Sequence, residues 1–194
     1  MPTSIEAQVV GSFELPGEAV FPESIGVDAV TGDGYVGSLA DGTLYRLTRG
    51  GQVEVWSAGG HGGRGSVAGV KVDIRGRLWA AGGSDGTLWV YDLASRGLLA
   101  RLTIGTEASL VNDIAFGIRG EAYATDSLLP VILRADGDQL TLERWVDLTA
   151  AGVPWPPGLN LNCGLLVVNG QLDKMGGRPR LPFTVVAVAV PDTW

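Results

Sequence analysis

Apolar and polar residues alternate along this chain in short runs, and glycine punctuates the runs. "GYVGSL", "TLYRL", "RLWAAGG" and "TLWVYDL" carry the period of two that marks a strand, and no stretch carries a long stripe at helical spacing. The runs recur. Tyr35, Trp79 and Tyr123 follow one another at intervals of 44 residues, and Gly32, Gly76 and Gly120 stand three residues before them. "DIRGRLWAAGG" lies over "GIRGEAYATDS", so that Ile74-Arg75-Gly76 matches Ile118-Arg119-Gly120, and "DGTLY" at 41–45 returns as "DGTLW" at 85–89.

The second unit predicts four strands, near 67–73, 78–82, 88–92 and 98–104, with turns at Arg75-Gly76, Asp85-Gly86 and Arg96-Gly97. Four short strands at a period of roughly 40–50 residues make a β-propeller blade. A β-sandwich is the competing fold, but it has no need of the same aromatic at a fixed interval. The chain therefore reads as all-β, a β-propeller of four-stranded antiparallel blades with boundaries near 20, 64, 108 and 150. Extending the period reaches Gly164-Leu165-Leu166-Val167, and after Asn169 the pattern stops. The count is about three full blades plus part of a fourth, an incomplete ring. Residues 1–20 hold an apparent closing strand at 7–15, residues 21–170 carry the blades, and residues 171–194 form an atypical tail. An open ring exposes a strand edge or an apolar blade face, which predicts self-association. The apolar stretch "LPFTVVAVAV" in the tail is the segment expected to cover that face.

Composition narrows the function. With 194 residues and a hydrophobic fraction of 45%, the chain can bury a sizeable core. Thirty glycines suit many turns. A net charge of −7 with no basic cluster argues against nucleic-acid binding. The N-terminus lacks a basic segment before an apolar one, and the longest apolar run, "TVVAVAV", is too short to span a bilayer, so neither a leader nor a membrane partner is expected. Cys163 is the only cysteine, which fits a reducing compartment, and a cytoplasmic location is the expectation.

The repeat carries a resemblance. "FPESIGVD", "GDGYVGSLADGTLYRL", "SVAGVKVDIRGRLWAAGG", "LVNDIAFGIRGEAYATDS" and "GLLVVNGQ", together spanning roughly residues 20–170, resemble the family of senescence marker protein, gluconolactonase and luciferin-regenerating enzyme, with its strictosidine-synthase-like relatives. The resemblance implies a six-bladed propeller that binds a divalent cation, often calcium, at the central mouth, and in several members hydrolyses lactones or related esters. This chain is too short for six such blades, so the resemblance implies a truncated or diverged member.

In a propeller the innermost strand of each blade lines the channel, and its first residues converge from separate blades on one mouth. Those entries here are Glu23, Ala68, Asn112 and Asn160 or Asn162. Glu23 stands where the family places a glutamate ligand and Asn112 where it places an asparagine. Asn162 stands near the entry at which the family has an aspartate. Glu23, Asn112 and Asn162 are thus the candidate metal ligands, and their oxygens suit a calcium-type ion. The competing readings are an exposed strand-entry carboxylate for Glu23, a turn-capping amide for Asn112 and a loop residue for Asn162. Ala68 takes the place where lactonase members carry a substrate-holding asparagine, which counts against turnover. Asp113 and Asp126 are the other carboxylates near this face. Strand alternation turns Asp113 away from Asn112, and Asp126 reads as a turn-holding residue.

Other motifs fall away. "GHGGRG" at 60–65 matches a phosphate-loop spacing but precedes a strand rather than a helix. His61, the only histidine, has no second histidine for a metal pair, and no G-x-S-x-G elbow is present. Two functions follow as expectations: a metal-dependent lactonase or esterase-like hydrolase acting on a small lactone or ester, and a non-catalytic propeller that binds or assembles.

Overall fold

The computed structural model describes residues 12–105 and 108–152. These form three four-stranded antiparallel sheets in sequence order. Blade 1 comprises β1 (Ile25–Val27), β2 (Gly34–Gly37), β3 (Leu44–Leu47) and β4 (Val53–Ser57). Blade 2 comprises β5 (Gly69–Val72), β6 (Arg77–Ala81), β7 (Thr87–Asp92) and β8 (Leu98–Thr103). Blade 3 comprises β9 (Val111–Phe116), β10 (Ala122–Asp126), β11 (Val131–Ala135) and β12 (Leu142–Asp147). The only other regular element among the described residues is a 3-10 turn at His61–Gly63, so none of their helices is long and apolar enough to cross a membrane. Of the closing strand expected at 7–15, only 12–15 are described, and they are not in a strand. The partial fourth blade beyond residue 152 and the tail lie outside the described residues.

The repeat has a physical basis in its turns and its aromatic rings. Gly32, Gly76 and Gly120 take φ of 75°, 71° and 87°, the left-handed region that a side chain disfavours, and each closes the hairpin into the second strand. Tyr35, Trp79 and Tyr123 then sit on β2, β6 and β10, and each meets another ring. Trp56 lies edge-on to Tyr35 at 5.9 Å, Phe116 to Trp79 at 5.9 Å, and Trp145 tilts against Tyr123 at 4.9 Å. Blade 1's first hairpin holds one residue more than the others: Gly26 pairs with Tyr35, but Lys71 with Trp79 and Ala115 with Tyr123.

Alternation assigns the two faces of each blade. On β6, Leu78 and Ala80 turn toward blade 1 and join Tyr35, Leu44 and Trp56. Trp79 and Ala81 turn the other way and join Val111, Ile114 and Leu133 of blade 3. All five β6 residues are buried because both neighbours exist. On blade 1 the register aligns Ile25, Val36, Tyr45 and Val55 on the face turned from blade 2. On that face Val36 and Tyr45 are buried while Ile25 and Val55 are about half exposed, at 53% and 49%, so it is only partly covered.

Polar residues pin the hairpins. The Asp33 carboxylate receives Arg46 Nε at 2.8 Å and the Arg49 backbone amide at 3.0 Å. Arg46 holds it below the usual carboxylate range, and the Thr31 hydroxyl does the same for Asp28. Carboxyls whose folded pKa is depressed contribute stability above their unfolded value, near 3.8, and that stability is lost as pH falls through the folded value. The melting temperature should therefore drop steeply below about pH 4. Asp33→Asn should melt lower at neutral pH and show a shallower acid slope. An acid slope identical to that of the parent protein would exclude Asp33 as a contributor.

Candidate functional site

The three described inner strands run side by side, with backbone nearly touching backbone. A Cβ on Gly26 would come within 2.9 Å of Lys71 Cα, and one on Gly69 would overlap the Asn112 carbonyl oxygen. Hydrogen bonds fasten the strand entries to the preceding blade: the Val67 amide donates to the Ser38 carbonyl at 2.9 Å, and Val111 and Gly83 exchange two bonds at 3.1 Å.

Ile25, Val70 and Ile114 are equivalent by pairing with Val36, Ala80 and Ala124. Counting back two residues from each gives Glu23, Ala68 and Asn112. The interval of 89 between Glu23 and Asn112 is thus two blades plus the extra hairpin residue of blade 1. Glu23 is exposed and makes no hydrogen bond or ion pair among the described residues. Ala68 is buried. Asn112 is half-buried, and its Nδ2 donates to Ser127 Oγ at 2.9 Å, which fixes the two ends of the amide. Asn160 and Asn162 lie outside the described residues.

Asp113 departs from simple alternation. Ile114 pairs with Ala124 but Val111 with Asp126, so Asn112 and Asp113 together face the single residue Thr125. This is a β-bulge, which re-aims the side chains it carries. Asp113 Oδ1 lies 3.3 Å from Lys71 Nζ on β5, and no hydrogen bond reaches that buried oxygen. Lys71 Nζ also donates to Ser24 Oγ at 3.4 Å, and Ser24 Oγ accepts the Val70 amide at 3.2 Å. Ser24, Lys71 and Asp113 therefore form a polar belt across all three inner strands. The sequence expectation did not include Lys71 or Ser24. The available signal was a lone charge inside the apolar run "VAGVKV".

Asp126 holds a turn, as expected. The Ser109 hydroxyl donates to its Oδ2, and the Leu110, Leu128 and Leu129 amides donate to Oδ1 at 3.2, 2.8 and 2.9 Å. Among the described residues no group of three or more His, Cys, Asp or Glu side chains could hold a metal. The "GHGGRG" loop leads into β5, and its Arg64 is fully buried between blades 1 and 2.

No family model and no curated protein matches the sequence. Solved structures do match in shape. A streptogramin B lyase superposes with a TM-score of 0.63 at 16% identity, covering 79% of this chain and 47% of that one. A catalytically inactive virginiamycin B lyase from Staphylococcus aureus, solved with quinupristin, gives 0.59 at 16% identity over 68% and 43%. An auxiliary nutrient binding protein from Bacteroides thetaiotaomicron gives 0.52 at 18% identity over 63% and 30%. This chain spans less than half the length of each. The matches do not single out the gluconolactonase-type family. With three four-stranded blades in sequence order, they establish an incomplete β-propeller.

Proposed function

We propose that the channel mouth binds a divalent cation, calcium in kind, at Glu23 and Asn112, and through it an oxygen-bearing small molecule of the lactone or ester class. One observation carries this. By residue count the two stand two blades apart at the entries of inner strands, Glu23 as an exposed carboxylate with no hydrogen bond or ion pair among the described residues, and Asn112 in the bulge with its Nδ2 donating to Ser127 Oγ. Carboxylate and amide-carbonyl oxygens are the donors calcium takes. Asn162 belongs to the proposed set as its third member. A single carboxylate implies weak affinity, on the order of 10⁻⁴–10⁻³ M.

Hydrolysis of the bound molecule is a second reading, and Asp113 favours it. A cation at the mouth would polarise the carbonyl oxygen. Asp113, beside Asn112 in the bulge, is the described carboxylate that would take a proton from water once its buried Oδ1 is released from the Lys71 pair. Asp126 is unsuited, because both of its oxygens are committed to the Ser109–Leu129 turn. Ala68 gives no polar contact to a substrate, which favours binding over turnover.

Calcium at about 5 mM against a dissociation constant near 1 mM should stabilise the fold by about 1 kcal/mol, a rise of a few degrees in melting temperature. Glu23→Gln should remove the rise. No rise in the parent protein, or an equal rise in the variant, refutes the cation site. Calcium-dependent acid release from a δ-lactone, lost in Asp113→Asn, would establish turnover. Cation binding without acid release would leave the chain a binding module.

A further inference from the structure

Lys71 is the one cation on the three described inner strands, and nothing in the proposed cation site uses it. Its ammonium meets the strands on both sides. Asp113 Oδ1 on β9 lies 3.3 Å from Nζ, and Ser24 Oγ, just before β1, lies 3.4 Å away. Ser24 follows Glu23 and Asp113 follows Asn112, so the ammonium bridges the strands one residue further along than the proposed ligands.

The ammonium is shared rather than locked. Charge-assisted bonds from nitrogen to carboxylate run at about 2.7–2.9 Å. Arg77 Nε reaches Asp73 at 2.7 Å, whereas both Lys71 contacts are longer. Asp113 Oδ1 accepts no hydrogen bond although it is buried. The rest of the pair is open: the Lys71 and Asp113 side chains keep 33% and 26% of their surface. Separating a pair that water reaches costs far less than breaking a buried one. The β-bulge sets Asp113 beside Asn112 opposite Thr125, so alternation does not turn its carboxylate away from the mouth.

We propose that Lys71 is a built-in competitor of the divalent cation: its ammonium holds Asp113 against β5 and keeps that carboxylate out of the coordination set. The inference rests on the mouth as the cation site. Glu23, Lys71 and Asp113 together carry one net negative charge, and without the ammonium they carry two. Calcium affinity rises with the number of charged ligands. With the pair closed, the ion meets Glu23 as its single carboxylate and is repelled by the ammonium as well. Lys71 thereby sets the weak affinity of the mouth, because ion and ammonium exclude each other from Asp113.

Calcium titrated into the full chain by calorimetry at low ionic strength tests this. Lys71→Met should tighten calcium at least about tenfold, since a like charge leaves and a second carboxylate joins the set. Lys71→Arg keeps the charge and should not tighten it. Adding Asp113→Asn to Lys71→Met should cancel the gain. If Lys71→Met does not fold, Lys71→Gln carries the same test. Equal affinity in the parent and Lys71→Met would overturn the proposal and leave the mouth site standing, because Lys71 would then only tie the strands together. A gain that survives Asp113→Asn would overturn it too, since Asp113 would not be the ligand released. Calcium binding by neither the parent nor Lys71→Met would refute the mouth site, and this proposal with it.

Discussion

Arg64→Leu is expected to destabilise the protein by about 3–5 kcal/mol, a large part of the stability of a typical domain. Arg64 is fully buried and faces no carboxylate within hydrogen-bond reach. Its charge is instead distributed over neutral oxygens that it ties together across two blades. Nε donates to the Gly42 carbonyl at 2.5 Å, Nη1 to the Tyr91 hydroxyl, and Nη2 to Ser57 Oγ and the Ala58 carbonyl at 3.0 and 3.1 Å. Burial pushes the guanidinium pKa down and the Tyr91 hydroxyl up, and their attraction opposes both shifts. Leucine would strip five acceptors of their donor, and the two buried ones, the Gly42 carbonyl and the Tyr91 hydroxyl, would cost about 1–3 kcal/mol each if water cannot replace it. Tyr91→Phe removes only one of them and should cost about 1–2 kcal/mol. Urea denaturation separates the cases. A loss below about 1 kcal/mol for Arg64→Leu would mean that water already serves those oxygens.

The blades were legible in the sequence because their determinants are local. A glycine forced into left-handed φ and an aromatic three residues later recur wherever a hairpin must turn and a ring must fill the next layer. The expected strands of blade 2 fall within about two residues of the observed ones for the same reason. Arg64 was hidden, since in "GHGGRG" it reads as a surface cation. Only folding brings Tyr91, 27 residues on, to its side. One turn also departed from its residue types: in Arg96-Gly97 the left-handed position is Arg96 at φ 59°, not the glycine.

The candidate site was legible in part. Repeat counting places Glu23, Ala68 and Asn112 in one row, because strand entries inherit the period. It could not place Asp113, since a bulge adds a residue to β9 without marking the sequence. Nor could it find the Lys71–Asp113 pair, which joins residues 42 apart on adjacent blades.

Gly69→Ala is expected to damage fold and mouth together. Gly69 opens β5 and is fully packed against the first turn of β9, where an added methyl would overlap the Asn112 carbonyl oxygen and sit 3.2 Å from the Ala81 side chain. The obstruction is backbone, so no side chain can rotate out of the way. Either β5 or β9 must move, and each is tied to the neighbouring blade through the Val67–Ser38 and Val111–Gly83 bonds. Overpacking of this kind costs typically about 1–3 kcal/mol, and more where backbone must shift, so about 3 kcal/mol is expected. The site consequence is specific. Displacing β9 moves the bulge that carries Asn112 and Asp113, so the Lys71–Asp113 pair should open and the proposed calcium response should fall even at temperatures where the variant is folded. Gly51→Ala is the control, because a Cβ there meets nothing within 4 Å. Its φ of 84° adds strain at the blade 1 turn alone, so a modest loss of stability with an intact calcium response is expected. If Gly69→Ala melts as the parent does and keeps the response, the inner strands are not in backbone contact at this point.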